Sequence, residues 1–196
     1  MIILCDNGHG IDTSGKRSPD GKLLEYKWAR QVADMIVGYF RSLNRRAELL
    51  VPEDEDIPLR ERVRRVNEIC RQEGSDNVLL VSIHNDAAGS DGRWHNAKGW
   101  SARVAPNASA GSKRLAECLA GRIGNTGLKV RRQYPDKGYW VQNLAICRDA
   151  KCPAVLTENG FMDNLKECQW LLDPQNQWAI AQAHIFGILD YLKTLQ

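Results

Sequence analysis

The chain has 196 residues, 43% of them hydrophobic, which is enough for one domain with a true core. Its 27 Lys and Arg nearly balance its 24 Asp and Glu, for a net charge of +3. That argues against a nucleic-acid partner, and "RSLNRR" and "LRERVRR" read as solvated helix faces. No apolar run approaches the roughly 20 residues of a membrane span, and no leader-like segment precedes the first strand.

In chain order, strands are expected at Ile2–Cys5, Ala47–Val51, Val78–Ile83, Trp100–Val104 and Ala154–Thr157. The central ones are continuous apolar runs, as in strands covered on both faces. Between them lie helical stripes. The first is Leu24, Trp28, Val32, Ile36, Tyr39 and Leu43; the second is Leu59, Val63, Val66 and Cys70. The third is Leu115, Leu119 and Ile123, and the last follows Pro174 with Trp178, Ala181, Ile185, Ile188 and Leu192. This alternation predicts an α/β fold: a single domain with a twisted, mostly parallel central sheet and helices on both faces. "HNDAAGSDGRWHNAKGW" and "GLKVRRQYPDKGYW" are loops long enough to shape a cleft. Cys5, Cys70, Cys118, Cys147, Cys152 and Cys168 form no C-x-x-C pair and read as buried, reduced thiols. Cys147 and Cys152 flank a turn closely enough to leave a disulfide open.

His9, between two glycines, ends the first strand, and His84 follows the strand "VLLVS". In an open α/β sheet, ligands bind outside the carboxyl ends of parallel strands, so two histidines presented there can share a metal ion. Asp6, Asp86 and Glu25 are candidates for a third ligand, although a carboxylate such as Glu25 in a first helical turn is also favoured by the helix dipole alone. A His-Glu-His set leaves a position of a tetrahedral zinc open for water, the arrangement of catalytic zinc. Glu158, at the end of "AVLT", places a further carboxylate on the same sheet edge. It is either a general base or a strand-end residue bonded to a backbone amide.

"CDNGHG", "LLEYKWA", "LRERVRRVN", "VSIHNDA" and "PAVLTENGFMDN", in that order, resemble the zinc-dependent N-acetylmuramoyl-L-alanine amidases of the amidase_3 type, from Ile3 to about Tyr191. The resemblance implies that His9, Glu25 and His84 bind one Zn²⁺ ion and that Glu158 is the catalytic acid/base. It implies structural roles for Arg62 and Asn67, and it aligns Arg148 with an arginine that would steady substrate or a developing oxyanion. The implied activity is cleavage of the amide between the muramic acid lactyl group and the L-alanine of the peptidoglycan stem peptide. Asn7 stands where the family usually has Pro, and Asn159 where an apolar residue is more common.

Around these positions, Asp6 is expected to accept a hydrogen bond from a metal-bound imidazole. Asn85 is expected to support the metal or touch substrate, and Trp94 and Trp100 to stack on sugar or pack under their loop. His95 reads as a solvated loop residue and His184 as a packed, hydrogen-bonded one. The competing readings are a zinc peptidase cutting another amide of the stem peptide and an inactive wall-binding protein. The expectation is one catalytic domain over residues 1–196, without a separate wall-binding module, working as a monomer on peptidoglycan. It is made in the cytoplasm and reaches the wall as a phage or prophage lysin or a delivered effector, or it is a periplasmic enzyme whose leader has been removed.

Overall fold

The computed structural model describes residues 1–195. Six strands form one sheet: β1 (Ile2–Asn7), β2 (Ala47–Leu49), β3 (Val78–Asp86), β4 (Trp100–Val104), β5 (Tyr139–Val141) and β6 (Ala154–Phe161), in the spatial order β2-β1-β3-β6-β4-β5. All neighbours run parallel except β4 against β6. The helices are α1 (Glu25–Ser42), α2 (Leu59–Glu73), α3 (Ala110–Ile123), α4 (Ala145–Arg148), α5 (Leu165–Leu171) and α6 (Pro174–Lys193). None of them is long and apolar enough to cross a membrane.

Side chains alternate across a strand, so each face of the sheet has its own core. Ile3, Cys5, Leu79, Val81, Ile83 and Val155 face α1, α3 and α6. The opposite face carries Leu4, Leu80 and Leu156 under α2 and α4. Two helices, α2 and the single turn α4, pack on that second face. Along it, Leu80, Ser82 and His84 continue one row of β3, while Leu156 and Glu158 continue the matching row of β6.

The helical stripes pack largely as expected. Trp28, Val32 and Ile36 are buried, as are Leu115, Leu119 and Ile123. The ends differ: Leu43, Leu59 and Trp178 lie exposed, and Gln177 is buried instead, its amide donating to the carbonyl of Leu171. Asp173 caps α6 by accepting from the Gln175 amide, with Pro174 in the first turn. β5, three residues long inside a loop, was too short to show a period. All six cysteines are free, five of them buried, so Cys147 and Cys152 form no disulfide. Burial pushes the Cys5 and Cys147 thiols up to about 12, which keeps them protonated and unreactive.

His184 is the packed residue the sequence suggests. It is 1% exposed, with Nδ1 2.8 Å from the Ile180 carbonyl and Nε2 3.0 Å from the Thr157 hydroxyl. Burial pulls its pKa from 6.5 down to about 4. The unfolded chain therefore binds a proton below about pH 6.5 that the native chain refuses, and stability falls as pH drops from there towards 4. His184→Gln is expected to remove up to about 3 kcal/mol of that pH-dependent loss. Denaturant titrations at pH 7 and pH 5 check this, and an unchanged pH slope in the variant would contradict it.

Candidate metal centre

The first strand ends in Asn7-Gly8-His9-Gly10, and its geometry explains the glycines. His9 sits at φ 62°, a left-handed conformation that costs a non-glycine residue energy and persists where the surroundings enforce it. A side chain on Gly8 would start 2.4 Å from Cε1 of the His84 ring, and one on Gly10 would start 2.0 Å from the Asp56 backbone nitrogen. Both glycines are thus sites of close approach.

Arg62, only 4% exposed, holds the loop in this shape from α2. Its Nη1 donates to Asp6 Oδ1 at 2.8 Å and to the Asn7 carbonyl at 2.7 Å. Its Nη2 donates to Asp56 Oδ1 and the His9 carbonyl, and its Nε to the Ile57 carbonyl. Asn67, one turn further on, donates to the Asp149 carbonyl and accepts from the Lys151 amide, tying α2 to the loop before β6. Asn7 donates to the Val51 carbonyl at 2.9 Å.

His9, Glu25 and His84 converge, with donor atoms all within 4.8 Å of one another. Glu25 opens α1 and is 1% exposed. Its Oε1 lies 3.0 Å from His84 Nδ1 and 3.4 Å from His9 Nε2, and it accepts from the Asn85 amide at 3.1 Å. Its Oε2 is buried without a hydrogen-bond partner. The two imidazoles stand edge to face, with centroids 4.9 Å apart. Burial acts to raise the Glu25 pKa, but both imidazoles hold the carboxylate well below its ordinary range. Burial likewise opposes protonation of His84, and Glu25 beside it outweighs this, so its pKa is raised. Two imidazoles and a buried carboxylate with an orphaned oxygen form a donor set suited to a divalent cation.

Glu158 is the direct cross-strand neighbour of His84, on the same face. Its side chain is 13% exposed and its Oε2 is buried without a partner. Burial pushes its pKa up to about 7, against the opposing pull of His84 and Arg103. No backbone amide satisfies this oxygen, so the alternative of a bonded strand-end carboxylate is not what the structure contains. Beyond Glu158, β3 pairs Asp86 with Phe161, so β6 carries an extra residue and Gly160 takes φ 81°.

Packing sets where the other expected residues stand. Arg148 is not brought to the site: it turns to its own neighbours, donating to the Asp149 carboxylate and to Asn143 Oδ1, in a groove with Met1 at the far end of β1. Arg103 of β4 stands there instead, with Nη1 3.8 Å from Glu158 Oε1. Nothing in the make-up of the short strand Trp100–Val104 marks it out. Asp6 is engaged by Arg62 and by the Ser82 hydroxyl, not by an imidazole. Trp100 is fully buried, and its indole donates to Asn159 Oδ1 at 2.8 Å, so it has no face for a sugar. Asn159 also donates to the His84 carbonyl at 3.0 Å. Asp86, an alternative third ligand, pairs with Arg103 and Arg131. Asn85 donates to the Asn159 carbonyl, which braces the strand end carrying His84. Trp94 is exposed in its loop, and His95, also in that loop, lies 2.9 Å from Asp91.

A sequence profile of the N-acetylmuramoyl-L-alanine amidase family matches residues 3–190. This chain belongs to that family. Among curated relatives, an N-acetylmuramoyl-L-alanine amidase, CwlM, of Bacillus licheniformis is 27% identical over 95% of this chain and 66% of its own length. The endolysin of Bacillus phage SPP1 is 26% identical over 97% of this chain and 66% of its own. A cell wall amidase of Bacillus anthracis is 35% identical over 58% of this chain but only 21% of its own length, so the amidase-family chain spans two thirds or less of these relatives. Among solved structures, the N-acetylmuramoyl-L-alanine amidase of Clostridium difficile 630 superimposes with TM-score 0.81 at 26% identity, covering 98% of this chain and 96% of that one. Ami1 of Mycobacterium smegmatis shares the fold at TM-score 0.84 and 18% identity, covering 99% and 97%.

Because Gly8 packs against the His84 ring, Gly8→Ala must displace the imidazole from its present position. The variant is expected to bind a divalent metal about 10- to 100-fold more weakly with its fold intact. Competition against a chromogenic chelator, alongside circular dichroism, measures this. Unchanged affinity would contradict the assigned ligand set.

Proposed function

We propose that this chain is a zinc-dependent amidase that cleaves the bond between the muramic acid lactyl carbonyl and the L-alanine nitrogen of the stem peptide. The observation that carries the reading is the placement of Glu158, a buried carboxyl with a pKa near neutrality, on the strand row beside a convergent His9, Glu25 and His84. Bound by those three residues, zinc would supply Lewis-acid polarisation of the carbonyl and acidify a water molecule.

The remaining chemistry belongs to the chain. Glu158 takes a proton from the attacking water at its unpartnered oxygen and delivers it to the departing L-alanine nitrogen. A carboxyl that titrates near pH 7 can both accept and return that proton. Arg103, drawn to Glu158 but held mainly by Asp86 and Gln142, keeps the carboxyl from rising further. Glu25 fixes His84 through Nδ1, and Arg62 fixes the backbone of His9, so both ring positions are set before substrate arrives. The substrate is cell-wall peptidoglycan, a reading supported by relatives named as an endolysin and a cell wall amidase.

A digest of purified peptidoglycan, analysed by mass spectrometry with and without chelator, tests the proposal. Zinc-restorable release of whole stem peptides with a free L-alanine amine is expected. Shortened stems would move the scissile bond into the peptide and favour a zinc peptidase instead. Glu158→Gln is expected to keep zinc and lose at least about 100-fold in turnover. Near wild-type turnover in that variant would remove Glu158 from its role.

A further inference from the structure

The two flanks of the sheet face carrying His84 and Glu158 differ in chemistry. On the side of α2 and α4, a cavity of about 460 Å³ reaches His9 and His84 and is walled by Ile57, Leu59, Leu144 and Ile146. On the side of β4 and β5, the wall is cationic. Arg103 and Arg131 both donate to one oxygen of Asp86, at 2.5 and 2.8 Å. A single carboxylate thus serves two guanidinium groups.

The two arginines are not equally free. Arg103 is spent: Nη2 is on Asp86, Nη1 on Gln142 Oε1 at 2.7 Å, and Nε faces Ser101. Arg131 makes one side-chain hydrogen bond, through Nη1, and among the described residues its Nη2 and Nε have no acceptor. It is nonetheless held still. Its guanidinium carbon lies 5.0 Å from the Trp140 ring centroid and 4.7 Å from that of Phe161. Its backbone amide donates to the Trp100 carbonyl, and its own carbonyl accepts from the Trp140 indole. Its side chain is 27% exposed. A charged fork with open donors, immobilised in advance and reachable from solvent, is what binds a carboxylate at low entropic cost.

The direction of the reaction says which part of the substrate meets it. Glu158 must reach the leaving nitrogen, and Arg103 stands directly against Glu158 on the β4 side. A stem peptide that leaves past Arg103 meets Arg131 next, since the two guanidinium groups share Asp86 Oδ2. Its first residue is amide-linked at both ends, and the second lies one Cα step of about 3.8 Å further on. We infer that Arg131 is a specificity-determining residue that recognises a free carboxylate on the second residue of the stem peptide. The inference rests on the amidase reading of the site.

The test uses the zinc-loaded chain and two glycan-linked stem tripeptides that differ in one group, a free carboxylate or a carboxamide on the second residue. Wild type is expected to cleave the acid with at least about tenfold higher kcat/KM, mostly through a lower KM, and to lose this preference as salt rises. Arg131→Gln is expected to abolish the preference by slowing the acid alone, and Arg131→Lys to keep part of it. The amide substrate serves as the control for folding. Equal rates on both substrates in active wild type, or a preference that survives Arg131→Gln, would overturn carboxylate recognition and leave the amidase standing. Cleavage of neither substrate by wild type would overturn the amidase reading beneath it.

Discussion

The carboxylate of Glu25, 1% exposed at the mouth of three strands, is the constraint from which the site is built. An ionised carboxylate in such a place is costly unless positive charge and hydrogen bonds surround it. The chain supplies two imidazoles and one backbone amide to Oε1 and leaves Oε2 with nothing. A cation shared with His9 and His84 resolves that deficit. The same placement fixes the start of α1 against the ends of β1 and β3, so the parallel order of the sheet is what brings the three residues together.

Arg62 stands behind this arrangement. A buried guanidinium that satisfies Asp6, Asp56 and three backbone carbonyls holds the turn after β1 in a conformation His9 would not adopt unaided. Removing one partner of such a buried pair typically costs about 3–5 kcal/mol, because the other is left uncompensated. The strain at His9 and the close contact of Gly8 with His84 are therefore held by α2, well outside the ligand set. On the far side, Asn159 and Asn85 bind the carbonyl ends of β3 and β6 to each other, so His84 and Glu158, the proposed ligand and base, sit on strands that cannot drift apart.

Much of this was legible in the sequence because it depends on spacing along strands and helices. His9 and His84 end apolar runs, Glu25 opens a stripe, and Glu158 closes another run. The five ordered motifs then placed the family. What stayed hidden depends on side-chain direction. Arg148 precedes the right strand in sequence, but a neighbouring Asp149 captures it, while Arg103, which stands by Glu158 instead, lies in a strand outside the five motifs that marked the site. Trp100 was expected to open a strand, but only the packed structure shows that its indole turns into the core and binds Asn159 instead of facing a substrate. Asp6 has the right neighbourhood, but Arg62 and Ser82 claim both its oxygens. The two departures from the family pattern, Asn7 and Asn159, turn out to be fully buried hydrogen-bonding residues, and only the packed structure shows what they hold.

The most direct test of the metal centre is zinc X-ray absorption on the purified chain, together with metal content. One zinc per chain is expected, ligated only by nitrogen and oxygen at about 2.0–2.2 Å, with an imidazole scattering pattern weakened in His84→Ala to that of the single remaining histidine. A sulfur shell at about 2.3 Å, or no zinc retained by a folded chain, would contradict the account.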